Sequence, residues 1–160
     1  MIRIGFGFDT HKLDFDHDFW LGGILIPHPK GAVGHSDADV LIHAIIDALL
    51  GGAGKRDIGI QFPDHTAEFK GIDSKILLGR TMELIKATGF VIGNVDATIV
   101  LQSPRISEHI PAMIETLSGV MKISADQLSV KGKTSEKLGF IGREEGVSAY
   151  AVVLLEKVTE

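Results

Sequence analysis

The spacing of apolar and polar residues changes period several times along the chain, and each change predicts an element. Residues 2–8 alternate, with Ile2, Ile4, Phe6 and Phe8 on one face of an extended segment and Arg3, Gly5 and Gly7 on the other. If the extension continues, Asp9 and His11 fall on the glycine face, where missing side chains let another element come close. Asp18 to Pro27 reads as two short strands turning at Gly22-Gly23, and 27–34 as a loop. The period then becomes helical. Ser36 is the expected N-cap, Asp39 can complete a capping box, and Gly51-Gly52 supplies a C-terminal stop. Asp39, His43 and Asp47 are spaced four apart on a helix otherwise built of Val, Leu, Ile and Ala. A polar stripe in so apolar a helix costs stability unless its members are paired or bound.

Residues 53–73 carry little periodicity and read as one long loop, a length that in a small domain usually marks function. Asp73 caps a second helix, roughly 74–88, that ends at Gly89. Phe90 to Leu101 is a strand with a bulge or turn at Gly93-Asn94. A third helix, about 107–121, tolerates Pro111 only within its first turn. Leu128 to Lys131 is a short strand, and Gly146 to Leu155, apolar on both faces, is a central one. This order has too few strict strand–helix alternations for a doubly wound fold. It predicts an α+β domain, a two-layer sandwich of a mixed sheet with helices on one face, spanning residues 1–160 without repeat or linker.

Composition narrows the chemistry. With no cysteine, a transition metal would have to use imidazoles and carboxylates. The net charge is −5 and no basic tract exceeds Lys131-Gly132-Lys133, which argues against a nucleic-acid partner. No apolar run approaches the ~20 residues of a membrane span, and the N-terminus lacks a signal-peptide profile. A soluble, cytoplasmic protein is expected.

Asp9-x-His11 and His43 offer two imidazoles and one carboxylate with a fourth position free, the layout of a catalytic zinc site. Asp39 or Asp47, one turn away, could orient the other ring nitrogen of His43. The plainer alternative is that Asp9 ends a strand and His43 is a hydrogen-bonded core histidine. His35-Ser36 at a helix start suits an anion, although Asp37 and Asp39 would repel it without an intervening cation. The segment from Lys131 to Phe140, followed by Gly142-Arg143, mixes cations, hydroxyls and glycines suited to phosphates, but lacks Walker spacing. His17, His28 and His109 have no partner at ligand spacing.

Five motifs in order carry a resemblance: G-x-D-x-H at Gly7 to His11, H-S-D-x-D-x-x-x-H at His35 to His43, D-I-G-x-x-F-P-D at Asp57 to Asp64, G-N-V-D at Gly93 to Asp96, and T-S-E-K-L-G-F-x-G-R at Thr134 to Arg143. Together they resemble the 2-C-methyl-D-erythritol 2,4-cyclodiphosphate synthase family, from Ile2 to about Leu155. Ser135 stands where that family often has Thr, and Arg105 where Lys is common.

The resemblance implies metal-dependent cyclisation of 4-diphosphocytidyl-2-C-methyl-D-erythritol 2-phosphate with release of CMP, in the non-mevalonate isoprenoid pathway. It implies Zn2+, or another divalent metal, on Asp9, His11 and His43, and Mg2+ or Mn2+ held at the diphosphate by Glu136. His35 and Thr134 would act on the transferring phosphates. With Asp9, His11 and His35, the residues Ser36, Asp57, Ile58, Gly59, Phe62, Pro63, Asp64, His65 and Thr66 would hold the methylerythritol phosphate. Leu101, Gln102, Ser103, Pro104, Arg105, Ile106 and Ser107, with Lys133, Thr134, Ser135 and Glu136, would hold the cytidine diphosphate. The family is a homotrimer with active sites between subunits, which would put Phe140, Arg143 and Glu145 near the threefold axis, the first two counted among the binding residues. On the residues alone, a zinc phosphohydrolase and a non-catalytic nucleotide or metal module remain open.

Overall fold

A computed structural model describes residues 1–158. In chain order its strands and helices are β1 (Ile2–Phe15), β2 (Trp20–Leu21), β3 (Ile24–Leu25), β4 (Lys30–Val33), α1 (Val40–Gly52), α2 (Ile58–Gln61), α3 (Ser74–Ala87), β5 (Phe90–Val100), α4 (Ile110–Met121), β6 (Leu128–Lys133), α5 (Gly139–Gly142) and β7 (Gly146–Lys157). Five strands form one sheet in the order β4-β1-β7-β5-β6, parallel only between β5 and β6. The strands β2 and β3 make a separate small hairpin. This is the mixed α+β architecture expected, with α1 packed on β1 and β7 and α3 beside it. No helix among the described residues is long and apolar enough to cross a membrane.

The alternation in β1 does what the pattern requires. Its glycine face meets α1, and an added Cβ would stand 1.8 Å from the Ala48 carbonyl oxygen at Gly5 and 1.9 Å from the Ala44 oxygen at Gly7. Small residues on both partners therefore bring helix and strand backbones together. The opposite face stays open: Ile4 is 71% and Phe6 62% exposed, and Phe8 lies 5.1 Å from the ring of Tyr150. Strand β7 is central, as expected, but not because it is covered on both faces. Val147, Ala149, Ala151, Val153 and Leu155 are buried, while Tyr150 and Val152 join the open apolar face.

Several boundaries differ from the sequence reading. The segment 27–34 is not all loop, because Lys30–Val33 pairs with Lys12–Phe15 of an extended β1. The long loop contains α2 and a 3-10 turn at Ala67–Phe69. Residues 107–109 form a turn ahead of α4, whose Pro111 lies in the first turn. The bulge falls between Ile92 and Asn94, as expected.

The start of α1 is the main correction. Ser36 does not cap it: Ala38 adopts a left-handed φ of 57°, which breaks the chain between Ser36 and the helix, and Asp39 is the N-cap. The fully buried Asp39 carboxylate accepts hydrogen bonds from the amides of Ile42 (3.0 Å), Gly22 (3.0 Å) and Gly23 (2.7 Å). It ties the helix to the β2–β3 turn instead of forming a capping box. Burial pushes its pKa up, against the pull of these backbone donors.

Two stability changes follow. Asp39→Ala leaves three N–H groups without their acceptor and should lower the unfolding free energy by at least about 2 kcal/mol. Gly7→Ala, with backbone on the far side of its new methyl, should cost about 1–3 kcal/mol or more. Urea denaturation measures both, and a loss under about 0.5 kcal/mol for either would contradict the role assigned to it.

Candidate active site

The glycine column of β1 continues as Asp9 and His11, and α1 places His43 directly before Ala44, whose carbonyl, like that of Ala48 one turn later, approaches the glycines closely. The three side chains meet at their tips. Asp9 Oδ2 lies 2.9 Å from His11 Nε2 and 2.9 Å from His43 Nδ1, and the two nitrogens are 3.1 Å apart. Zinc bonds of ~2.0–2.2 Å require ligand atoms about this close, so one divalent ion can be shared by all three. Among the described residues this is the only His, Asp or Glu trio with ligand atoms so near one another. Burial opposes ionisation of Asp9, yet hydrogen bonds with His11 and His43 outweigh it and hold the carboxyl well below the usual carboxylate range. Burial likewise pulls His11 down, but its bond to Asp9 prevails and raises it. The donor set, one anion and two imidazoles, is chemically suited to a cation such as Zn2+.

The trio forms the floor of a cleft of about 410 Å³. Of the residues expected to hold substrate, His35, Ser36, Ile58, Gly59, Phe62 and Asp64 line it; Phe69, Ile72 and Leu77 also line it and were not anticipated. The rim is held by a hydrogen bond from the Gly71 amide to the His35 carbonyl at 2.7 Å. Asp57 caps α2, accepting from the Ile60 amide at 3.0 Å, and is not part of the wall. Pro63, His65 and Thr66 also lie outside it.

A second cleft of about 710 Å³ is lined by Leu101, Gln102, Pro104, Arg105, Ile106 and Ser107 together with Ile110 and Lys131 to Thr134. It shares no wall residue with the first. Parallel pairing of β5 with β6 brings these two segments side by side. Ser103, Ser135 and Glu136 lie outside the wall; Glu136 accepts a hydrogen bond from Thr134 Oγ1 at 2.9 Å, away from the Asp9 trio. Phe140 packs over Gly146, and Arg143 makes two 3.0 Å bonds to the Glu145 carboxylate, so neither reaches a cleft.

The orientation of His43 differs from expectation. Neither Asp39 nor Asp47 touches its free nitrogen: Asp39 is committed to backbone amides, and Asp47 accepts from the Ile58 amide at 2.8 Å. Instead His43 Nε2 lies 2.9 Å from Ser74 Oγ and 3.1 Å from Ser36 Oγ. Ser74 was invisible in the spacing, because it comes from the start of a different helix, 31 residues away.

Known proteins resemble this chain over nearly its whole length. Residues 2–156 match the model of the YgbB family. The chain is 60% identical over 157 residues to 2-C-methyl-D-erythritol 2,4-cyclodiphosphate synthase of Bacteroides fragilis strain YCH46, covering 98% of this chain and 99% of that one. Its fold is similar to the bifunctional IspDF of Campylobacter jejuni, with a TM-score of 0.95 and 36% identity, covering 99% of this chain and 43% of that longer one. It is also similar to the CDP complex of IspF from Plasmodium falciparum, with a TM-score of 0.87 and 38% identity over 99% of this chain and 97% of that one. On motifs, fold and site together, the chain belongs to the YgbB family, that of the 2-C-methyl-D-erythritol 2,4-cyclodiphosphate synthases.

Proposed function

We propose how these residues carry the family reaction, cyclisation of 4-diphosphocytidyl-2-C-methyl-D-erythritol 2-phosphate to the 2,4-cyclodiphosphate with release of CMP. An oxygen of the 2-phosphate attacks the β-phosphorus, the bond to the oxygen bridging the α- and β-phosphorus breaks, and CMP leaves with that electron pair. Such a transfer depends on placement and charge neutralisation. In this net-acidic chain without a Walker loop, the Asp9–His11–His43 trio is the observation that carries the reading.

Asp9, His11 and His43 would hold Zn2+ or another divalent ion, and Glu136 would help to hold Mg2+ or Mn2+ at the diphosphate. Bound there, such ions would withdraw charge from phosphoryl oxygens. His35 and Ser36, on the rim, hold the 2-phosphate end. Ile58, Phe62, Phe69, Ile72 and Leu77 supply an apolar wall for the methylerythritol carbon chain and keep water from the phosphorus. Asp57, Pro63, His65 and Thr66 act from the edge of this wall, through the backbone they shape. Arg105 and Lys133, with Thr134, meet the cytidine diphosphate in the second cleft.

The separation of the two clefts in one chain supports a homotrimer, in which the second cleft of one subunit completes the first of its neighbour. The open face of Ile2, Ile4, Phe6, Phe8, Tyr150 and Val152 is an apolar surface that such an assembly would cover. Phe140 and Arg143 then act near the threefold axis and not at the reacting phosphates. The charged nucleotide substrate suits a cytoplasmic setting.

Phosphorus NMR of the products tests the reaction: cyclic diphosphate plus CMP is expected, and a linear phosphate product would favour a hydrolase. His43→Ala should abolish zinc retention and lower kcat/KM at least about a thousandfold, roughly 4 kcal/mol, in a chain that still melts cooperatively. Zinc content and turnover near the parent values would overturn the metal site. Glu136→Gln, in enzyme stripped with chelator and reconstituted, should raise the half-activating Mg2+ concentration about tenfold, ~1.4 kcal/mol. Its Zn2+ requirement should be unchanged, and an unaltered Mg2+ requirement would contradict the role of Glu136.

A further inference from the structure

Behind the trio lies a second set of polar contacts, in which chemistry fixes the direction of the bond between Ser74 and Asp37. Ser74 is fully buried at the first turn of α3. Its backbone amide donates to Asp37 Oδ2 at 2.8 Å, and its hydroxyl makes a short bond to Asp37 Oδ1. A serine hydroxyl has one proton and two lone pairs, and a carboxylate only accepts. The Ser74 proton is therefore committed to Asp37, and only a lone pair faces His43 Nε2 at 2.9 Å. That nitrogen must be the donor. Asp9, which likewise only accepts, lies 2.9 Å from Nδ1 and competes for the single proton of the neutral ring; a proton kept on Nε2 by Ser74 leaves the lone pair of Nδ1 toward Asp9 and His11, as a metal ligand requires.

We propose that Asp37 and Ser74 are positioning residues that set the tautomer and ring orientation of His43, a role resting on the reading of Asp9, His11 and His43 as a metal site. Three further contacts anchor the relay. The Asp37 amide donates to the Ile72 carbonyl at 3.1 Å, and Asp37 Oδ1 accepts from the Asp39 amide at 3.2 Å. The His43 amide donates to the Asp39 carbonyl at 3.0 Å. The carboxylate thus joins the segment before α1 to the start of α3, and His43 is clamped from both. Ser36 is also within reach of Nε2, at 3.1 Å, but no carboxylate fixes its proton and it lines the substrate cleft. Ser74, closer and backed by Asp37, holds the ring; Ser36, whose oxygen also accepts from the Ala38 amide at 3.2 Å, belongs to the cleft wall. Partners of this kind behind a metal ligand typically change affinity 10–100-fold when removed.

The decisive experiment uses full-length protein labelled with 15N-histidine, freed of metal with chelator. Imidazole 15N shifts of wild type, above the titration range of the ring, should show His43 protonated on Nε2. A proton on Nδ1 in wild type would overturn the proposal even if every variant failed to fold. Ser74→Ala and Asp37→Asn should shift His43 toward a tautomer mixture and weaken Zn2+ binding at least tenfold in competition with a chromophoric chelator. Ser36→Ala should leave Zn2+ affinity within about twofold. Melting of metal-free samples separates this from a structural role: a variant with unchanged His43 shifts and Zn2+ affinity but a lower Tm would refute positioning. Absence of Zn2+ binding by wild type would instead refute the metal reading, leaving the tautomer result to stand alone.

Discussion

The closeness of α1 to β1 is the constraint on which the site depends. Gly5 and Gly7 leave no room for a Cβ against the carbonyls of Ala48 and Ala44, so backbone meets backbone along this seam. Beyond Gly7 the strand column becomes Asp9 and His11, and the helix offers His43, the residue directly before Ala44. Side chains of these lengths touch at their tips only because the two backbones are already this near. Packing of the core and assembly of the trio are thus one event. The helix itself is buried on nearly every side, which fixes its rotation and with it the direction of the His43 ring.

The other face of β1 follows a different logic. A strand whose inner residues are glycines contributes little apolar area to its own core, while Ile2, Ile4, Phe6 and Phe8 lie outside it. Tyr150 and Val152 of β7 extend the same surface. A central strand beside such a face is expected in a chain that buries the face against copies of itself. The proposed trimer would account at once for this surface and for two clefts without a shared wall residue.

Legibility in the sequence followed the range of each interaction. The alternation of 2–8, the helical run after Val40, the bulge near Gly93 and the placement of Pro111 are local patterns, and the structure contains each of them. The trio was legible because two of its members are i, i+2 on one strand and the third belongs to a buried polar stripe. The cap of α1 was not. Ser36 has the right chemistry, but a left-handed Ala38 and the amides of a hairpin 16 and 17 residues upstream give the position to Asp39. Likewise Asp39 and Asp47 were plausible partners for His43 by spacing, yet each is held by amides from another segment. Ser74 and Asp37 come together only in three dimensions.

The stripe of Asp39, His43 and Asp47 shows why a correct signal can mislead about its partners. Each is costly to bury alone, and each is satisfied by a segment outside the helix: Asp39 by the β2–β3 turn, His43 by β1 and α3, Asp47 by the start of α2. The helix acts as a post to which surrounding loops are fastened by its few polar groups. Two of these fastenings hold the walls of the cleft relative to its floor, since α2 carries Ile58 and Gly59, and α3, which begins at Ser74, carries Leu77. A polar stripe with four-residue spacing on an apolar helix therefore predicts that something is bound, while the identity of each partner depends on the topology. Here one position faces the cleft and the other two fasten neighbouring segments to the helix.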